Sequence, residues 1–140
     1  NSGRGGQITF HGPGQRIIYV MLDLKKRDKD VRKYVHTLEK WMIMTLKEIG
    51  ILAFTDPERI GLWVNSPYGE SKIGAIGVRL SNWITSHGIS ININPDLSYY
   101  DGIVPCGLKN YPITSLKELG YNIKMYEFDK ILKKTITNFF

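Results

Sequence analysis

The feature that most constrains the fold is a strict alternation near the middle of the chain. Ile89, Ile91 and Ile93 are interleaved with Ser90, Asn92 and Asn94. A period of two places apolar side chains on one face of a strand and polar ones on the other. Two further apolar segments precede it, Leu62-Trp63-Val64 and Lys72 to Leu80, separated by the turn Ser66-Pro67-Tyr68-Gly69. The alternating strand itself spans Ile84 to Ile93 and joins the previous one near Ser81-Asn82. A long helical stripe comes earlier: Val31, Tyr34, Val35, Leu38, Met42, Leu46 and Ile49, with Asp30 as N-cap and Gly50 as its stop. Trp41 is expected at the edge of that stripe and His36 on its polar side. The run Ile17 to Leu24 reads as a buried strand. Thr114 to Gly120 reads as a short helix with a Ser115/Glu118 capping box. A packing helix near the end shows Phe128, Ile131, Leu132, Thr135, Ile136 and Phe139 on one face. These elements define an α/β (α+β) chain with a mixed, largely antiparallel sheet and packing helices.

Composition sets the outer limits. The 140 residues suit one domain, and 42% hydrophobic residues suit a real core. One cysteine excludes an internal disulfide framework, and no Cys/His cluster has zinc spacing, which fits a reducing compartment. Neither a membrane-spanning run nor a signal peptide is visible. A net charge of +6 favours an acidic partner, but the basic residues are scattered apart from Lys25-Lys26-Arg27, which reads as a solvated turn. No nucleic-acid-binding module is recognisable.

The chemistry concentrates in Ile103-Val104-Pro105-Cys106-Gly107-Leu108. Proline before and glycine after the cysteine favour an exposed bend, and a thiolate there would be a strong nucleophile. The same residue could equally be a small buried hydrophobe. A nucleophilic Cys106 needs a base or a nearby cation. His11 and His87 each adjoin a glycine, but no local signature pairs either with it. Lys72 opens a glycine-rich strand, Lys72-Ile73-Gly74-Ala75-Ile76-Gly77. A lysine can favour a thiolate by charge or move protons as an amine, yet spacing alone reads Lys72 as a surface residue. Residues 3–15 hold five glycines and Pro13, a density that permits close approach to a ligand without matching a phosphate-cradling motif.

Three segments together resemble the octanoyl (lipoyl) transferases of lipoate biosynthesis. They are Arg4-Gly5-Gly6-Gln7-Ile8-Thr9-Phe10-His11-Gly12-Pro13-Gly14-Gln15, then Lys72 to Arg79, then Ile103 to Gly107, with Thr114-Ser115-Leu116 following in the expected place. Phe10 stands where that family commonly has Tyr, and Gly74 where it has Ala. The resemblance implies a fold like that of the biotin and lipoate protein ligases. It also implies a single catalytic domain over residues 1–140, preceded in the family by a strand-and-helix segment that is missing from this chain. It implies that Cys106 accepts octanoyl from the thioester of acyl carrier protein and passes it to a lysine of a lipoyl domain, with Lys72 as its partner. The acceptors would be the lipoyl domains of 2-oxoacid dehydrogenase complexes and the glycine cleavage H protein. Substrate contacts fall on Arg4, Gly5, Gly6, Gln7, Ile8, Thr9, Phe10 and His11, on Ala75, Ile76 and Gly77, and on Gly88, Ile89 and Ser90. Gly77 and Gly88 are expected to border the acyl slot. Thioester exchange is nearly isoenergetic, so no cofactor, ATP or metal is implied. The expected setting is cytoplasmic, without nucleic acid or membrane. The competing readings are an ATP-dependent lipoate or biotin protein ligase of the same fold, and a non-catalytic acyl-binding module.

Overall fold

The computed structural model describes residues 13–27, 29–97 and 111–140. Among these, five strands form one sheet: β1 (Gln15–Tyr19), β2 (Phe54–Asp56), β3 (Arg59–Ser66), β4 (Gly69–Ser81) and β5 (Ile84–Asn92), in the order β1-β5-β4-β3-β2. Each neighbouring pair is antiparallel. A parallel bridge between Lys72 and Ile113 makes the sheet mixed. Two helices, α1 (Val31–Ile49) and α2 (Met125–Ile136), pack against it.

α1 begins where the Asp30 carboxylate accepts a hydrogen bond from the Lys33 amide, 3.0 Å. It ends at Gly50, whose φ of 109° lets its N–H turn back to the Leu46 and Lys47 carbonyls. Tyr34, Leu38, Trp41, Met42, Thr45 and Leu46 form its buried side. Trp41 is therefore core rather than edge. Its indole N–H donates to Thr135 Oγ1 of α2 at 3.0 Å, and that oxygen lies 2.8 Å from Thr45 Oγ1. This buried polar triad fixes how the helices meet. α2 buries Phe128, Leu132 and Thr135 and ends at Ile136, so Phe139 follows the helix instead of lying on it.

The alternation in β5 has the consequence expected of it. Ile89, Ile91 and Ile93 join Leu38, Met42, Leu46, Leu62, Val64, Ile73, Leu116 and Phe128 in one core. The helices thus cover a single face of the sheet, and Ser90 and Asn92 belong to the other.

Two further sequence expectations change, and one strand was not anticipated. The strand read over Ile17 to Leu24 stops at Tyr19. Asp23 then caps a 3₁₀ turn (Leu24–Lys26), and Leu22 and Leu24 bond across to Thr85 and Trp83. Strand β2, too short to show a period, escaped the sequence reading altogether. Thr114 to Gly120 is a series of turns. Half of its capping box forms, Glu118 N–H to Ser115 Oγ at 3.0 Å. The amides of Leu116 and Lys117, which a first helical turn leaves unpaired, bond to the Asn92 and Ile93 carbonyls, and a single turn follows, in which the Leu119 amide donates to the Ser115 carbonyl and the Gly120 amide to that of Lys117.

Replacing Thr135 with Val keeps the shape and removes the acceptor for the Trp41 indole. The expected loss is about 1–3 kcal/mol in urea unfolding, the cost of an unsatisfied buried donor. No change would mean that the 3.4 Å contact to the Leu132 carbonyl suffices.

Candidate active site

The register of β1, β5 and β4 decides which residues share the face away from the helices. One row across the sheet is Ile17, Ser90 and Ala75, and the next is Tyr19, Gly88 and Gly77. The intervening row, Ile18, Ile89 and Ile76, faces the core. Four adjoining positions of β4 and β5 therefore carry nothing larger than a serine, a trough in side-chain size across two strands about 4.8 Å apart, in which Gly88 and Ser90 are buried. Of the residues expected to contact substrate, Ala75, Gly77, Gly88 and Ser90 fall on this face. Ile76 and Ile89 direct their side chains into the helix-side core, so only their backbone borders the trough.

Gly88 has a further reason to be glycine. Its φ is 154°, and a Cβ there would lie 2.5 Å from the Ile18 carbonyl oxygen. The close approach it permits is that of β1. This changes the expectation that Gly88 serves a ligand first.

Lys72 reaches the same face through an irregularity. Leu62 pairs with Gly74, but the next residue, Trp63, pairs with Lys72, leaving Ile73 unpaired. Ile73 is in the core, and Gly74 faces Leu62 and Ile91, which are also in the core. Two successive residues thus point to the helix side. Strict alternation from Ala75 would have sent Lys72 into the core; the extra residue turns it to the trough face. Gly74 fits because a Cβ there would stand 2.7 Å from the Ser90 carbonyl oxygen and 2.8 Å from Ile91 Cδ1.

Lys72 is not the surface lysine that its spacing suggests. It is 3% exposed, and among the described residues its Nζ has no hydrogen-bond partner. A buried amine in that position calls for an anion or a hydrogen-bonding group beside it. Its backbone is tied to residues 112–114: Lys72 N–H donates to the Pro112 carbonyl and Thr114 N–H to the Lys72 carbonyl, each at 2.9 Å. In sequence, Cys106 precedes Pro112 by six residues. Cys106 and Arg4 to His11 lie outside the described residues, and so does the side chain of His87.

A cluster absent from the sequence reading braces this junction. The Arg59 guanidinium lies 4.3 Å from the Trp63 ring centre and 5.2 Å from that of Tyr111, and the two rings meet edge to face at 5.2 Å. Arg59 also holds Asp56 at 2.7 Å and Glu70 at 2.8 Å. The Glu58 amide, and then Arg59, keep the Asp56 carboxyl below its usual range. Its contribution is accordingly complete above the unfolded carboxyl's pKa and is lost as pH falls below that value. Tyr111 immediately precedes Pro112, so the cluster anchors the segment bonded to Lys72.

Known proteins share this architecture. The archaeal bipartite lipoate protein ligase of Thermoplasma acidophilum superposes with a TM-score of 0.75 at 15% identity, over 97% of this chain and 55% of that one. The biotin protein ligase of Aquifex aeolicus does so with a TM-score of 0.64 at 18% identity, over 89% and 51%. At these identities the likeness establishes the biotin/lipoate protein ligase fold. The model of the lipoyl protein ligase A/B catalytic domain matches residues 1–137, and the chain belongs to that family. Among its relatives, the octanoyltransferase of Ehrlichia ruminantium (strain Gardel) is 56% identical over 100% of this chain and 68% of its own length. That of Parvibaculum lavamentivorans is 51% identical over 100% and 64%, and that of Wolbachia pipientis wMel 53% identical over 99% and 68%. The chain thus spans about two thirds of the length of these relatives. It is an acyltransferase of lipoate biosynthesis whose activity is octanoyl transfer. Among the described residues, no helix is long and apolar enough to cross a membrane, and no three His, Cys, Asp or Glu residues stand together as metal ligands.

Gly88→Ala should lower the unfolding midpoint of the whole chain, because the added carbon meets backbone that cannot step aside. A variant with wild-type stability and impaired octanoyl transfer would return Gly88 to a purely ligand-facing role.

Proposed function

We propose that residues 1–140 act as one catalytic domain in which Cys106 is the acyl carrier and Lys72 its proton partner. The observation that carries this reading is the Lys72 amine. It is buried, without a partner among the described residues, beside a trough of small residues, and on a strand bonded to the segment that follows Cys106. In the first half-reaction the Cys106 thiolate attacks the octanoyl thioester of acyl carrier protein. A new C–S bond forms, the C–S bond to the carrier breaks, and the Lys72 ammonium protonates the departing thiolate. In the second, the amine of an acceptor lysine attacks the Cys106 thioester. A C–N bond forms, Cys106 leaves as thiolate, and the Lys72 amine takes the proton shed by nitrogen. The balance is one thioester consumed, one amide and one carrier thiol produced, with no nucleotide.

Ala75, Gly77, Gly88 and Ser90, with the backbone of Ile76 and Ile89, would border the acyl chain, together with Arg4 to His11. Burying seven methylene-type carbons at ~0.8 kcal/mol each gives roughly 5 kcal/mol for chain recognition. The acceptors in this reading are the lipoyl domains of 2-oxoacid dehydrogenase complexes and the glycine cleavage H protein, and the setting is cytoplasmic. The +6 charge suits an acidic donor protein.

The test is intact-mass measurement after mixing the protein with octanoyl-acyl carrier protein and no ATP. Wild type should gain one octanoyl group and lose it to an added lipoyl domain. Cys106→Ser should remain folded and unmodified. An adduct of equal yield on the serine variant would remove Cys106 from the mechanism, and a strict need for ATP would restore the ligase alternative.

A further inference from the structure

The cavity beside α1, the groove near Phe139 and the basic turn at Lys25 to Arg27 offer nothing that selects an occupant. The backbone beneath Lys72 does offer a specific inference. Gly61 lies on β3, is buried, and has a φ of 124°, a conformation that favours glycine. A Cβ built on it would stand 2.5 Å from Lys72 Cε, 3.2 Å from Lys72 Nζ and 2.9 Å from the Gly74 carbonyl oxygen. The outer part of the lysine side chain therefore lies in the volume that any side chain at residue 61 would occupy.

The two irregularities face each other across the β3–β4 pair. On β4 the unpaired Ile73 turns Lys72 to the trough face. On β3 the missing side chain of Gly61 leaves the space into which the lysine then extends. Alternate residues Arg59 and Trp63 flank this gap, and their stack with Tyr111 borders it on the side of residues 112–114. We propose that Gly61 is a positioning residue for the transferase: it is the seat of Lys72 and fixes where the amine stands. This rests on the reading of Lys72 as the partner of Cys106, though the seat itself can be tested independently of that role.

The experiment is a double-substitution cycle on the full chain, comparing wild type, Gly61→Ala, Lys72→Ala and the double variant. Two quantities are measured for each: stability in urea, and the rate of Cys106 alkylation by iodoacetamide at neutral pH under folding conditions. If Gly61 seats Lys72, Gly61→Ala lowers the urea midpoint less in the Lys72→Ala background, because the clash with Cε is gone. In the same cycle, Lys72→Ala slows alkylation roughly tenfold as the thiolate loses its neighbouring cation. Gly61→Ala slows it too, but adds nothing on top of Lys72→Ala. Equal midpoint losses in both backgrounds would overturn the proposal, since Gly61 would then serve the strand alone. Should Gly61→Ala fail to fold, folding of the double variant supports the seat and failure of both overturns it. If Lys72→Ala leaves alkylation unchanged, the Cys106–Lys72 pairing fails, while the stability arm still decides the seat.

Discussion

β4 is the strand on which everything else depends, because it is bonded to more of the molecule than any other described element. It pairs with β5 along most of its length, with β3 at its beginning, and through Lys72 with the segment at Ile113. Its backbone therefore sets three relationships together: sheet order, the side on which the helices lie, and the attachment of residues 112–114 beside Lys72. The one-residue slip at Ile73 is what allows β4 to supply apolar side chains to the core and a lysine to the opposite face within two residues.

The sheet is consequently two-sided in chemistry. Its helix side is closed by α1 and α2 around the isoleucines of β5, and the Trp41–Thr135–Thr45 bonds settle the helix contact. Its other side keeps small residues at Ala75, Gly77, Gly88 and Ser90, and one buried amine. A packed core behind and a strip of small residues in front is how a rigid scaffold can support a site whose substrate is an apolar chain.

Much of the scaffold could be read from the sequence, because its signals are local. Asp30 and Gly50 mark the ends of α1, and the interleaving of isoleucine with serine and asparagine gives β5 its inward face. The three motifs around Arg4, Lys72 and Cys106 pointed to the family before any geometry was available. The burial of Lys72 could not be read, since it results from a register slip between strands and from the glycine opposite. Nor could the Arg59, Trp63 and Tyr111 stack, whose members are up to 52 residues apart and meet only once the sheet has formed. The apparent capping box at Ser115 misled for the reverse reason. Its local signal is real, but it opens a single turn, in which Leu119 bonds back to Ser115 before Gly120, at a φ of 93°, ends it.

The central claim is that the buried Lys72 amine and the Cys106 sulfur share one site. Cross-linking the folded protein with a short amine-to-thiol reagent, followed by peptide mass spectrometry, tests this most directly. The account predicts that Cys106 is joined to Lys72, and that octanoylation of Cys106 beforehand prevents the link. Cross-links from Cys106 to other lysines, with Lys72 left unmodified, would contradict it.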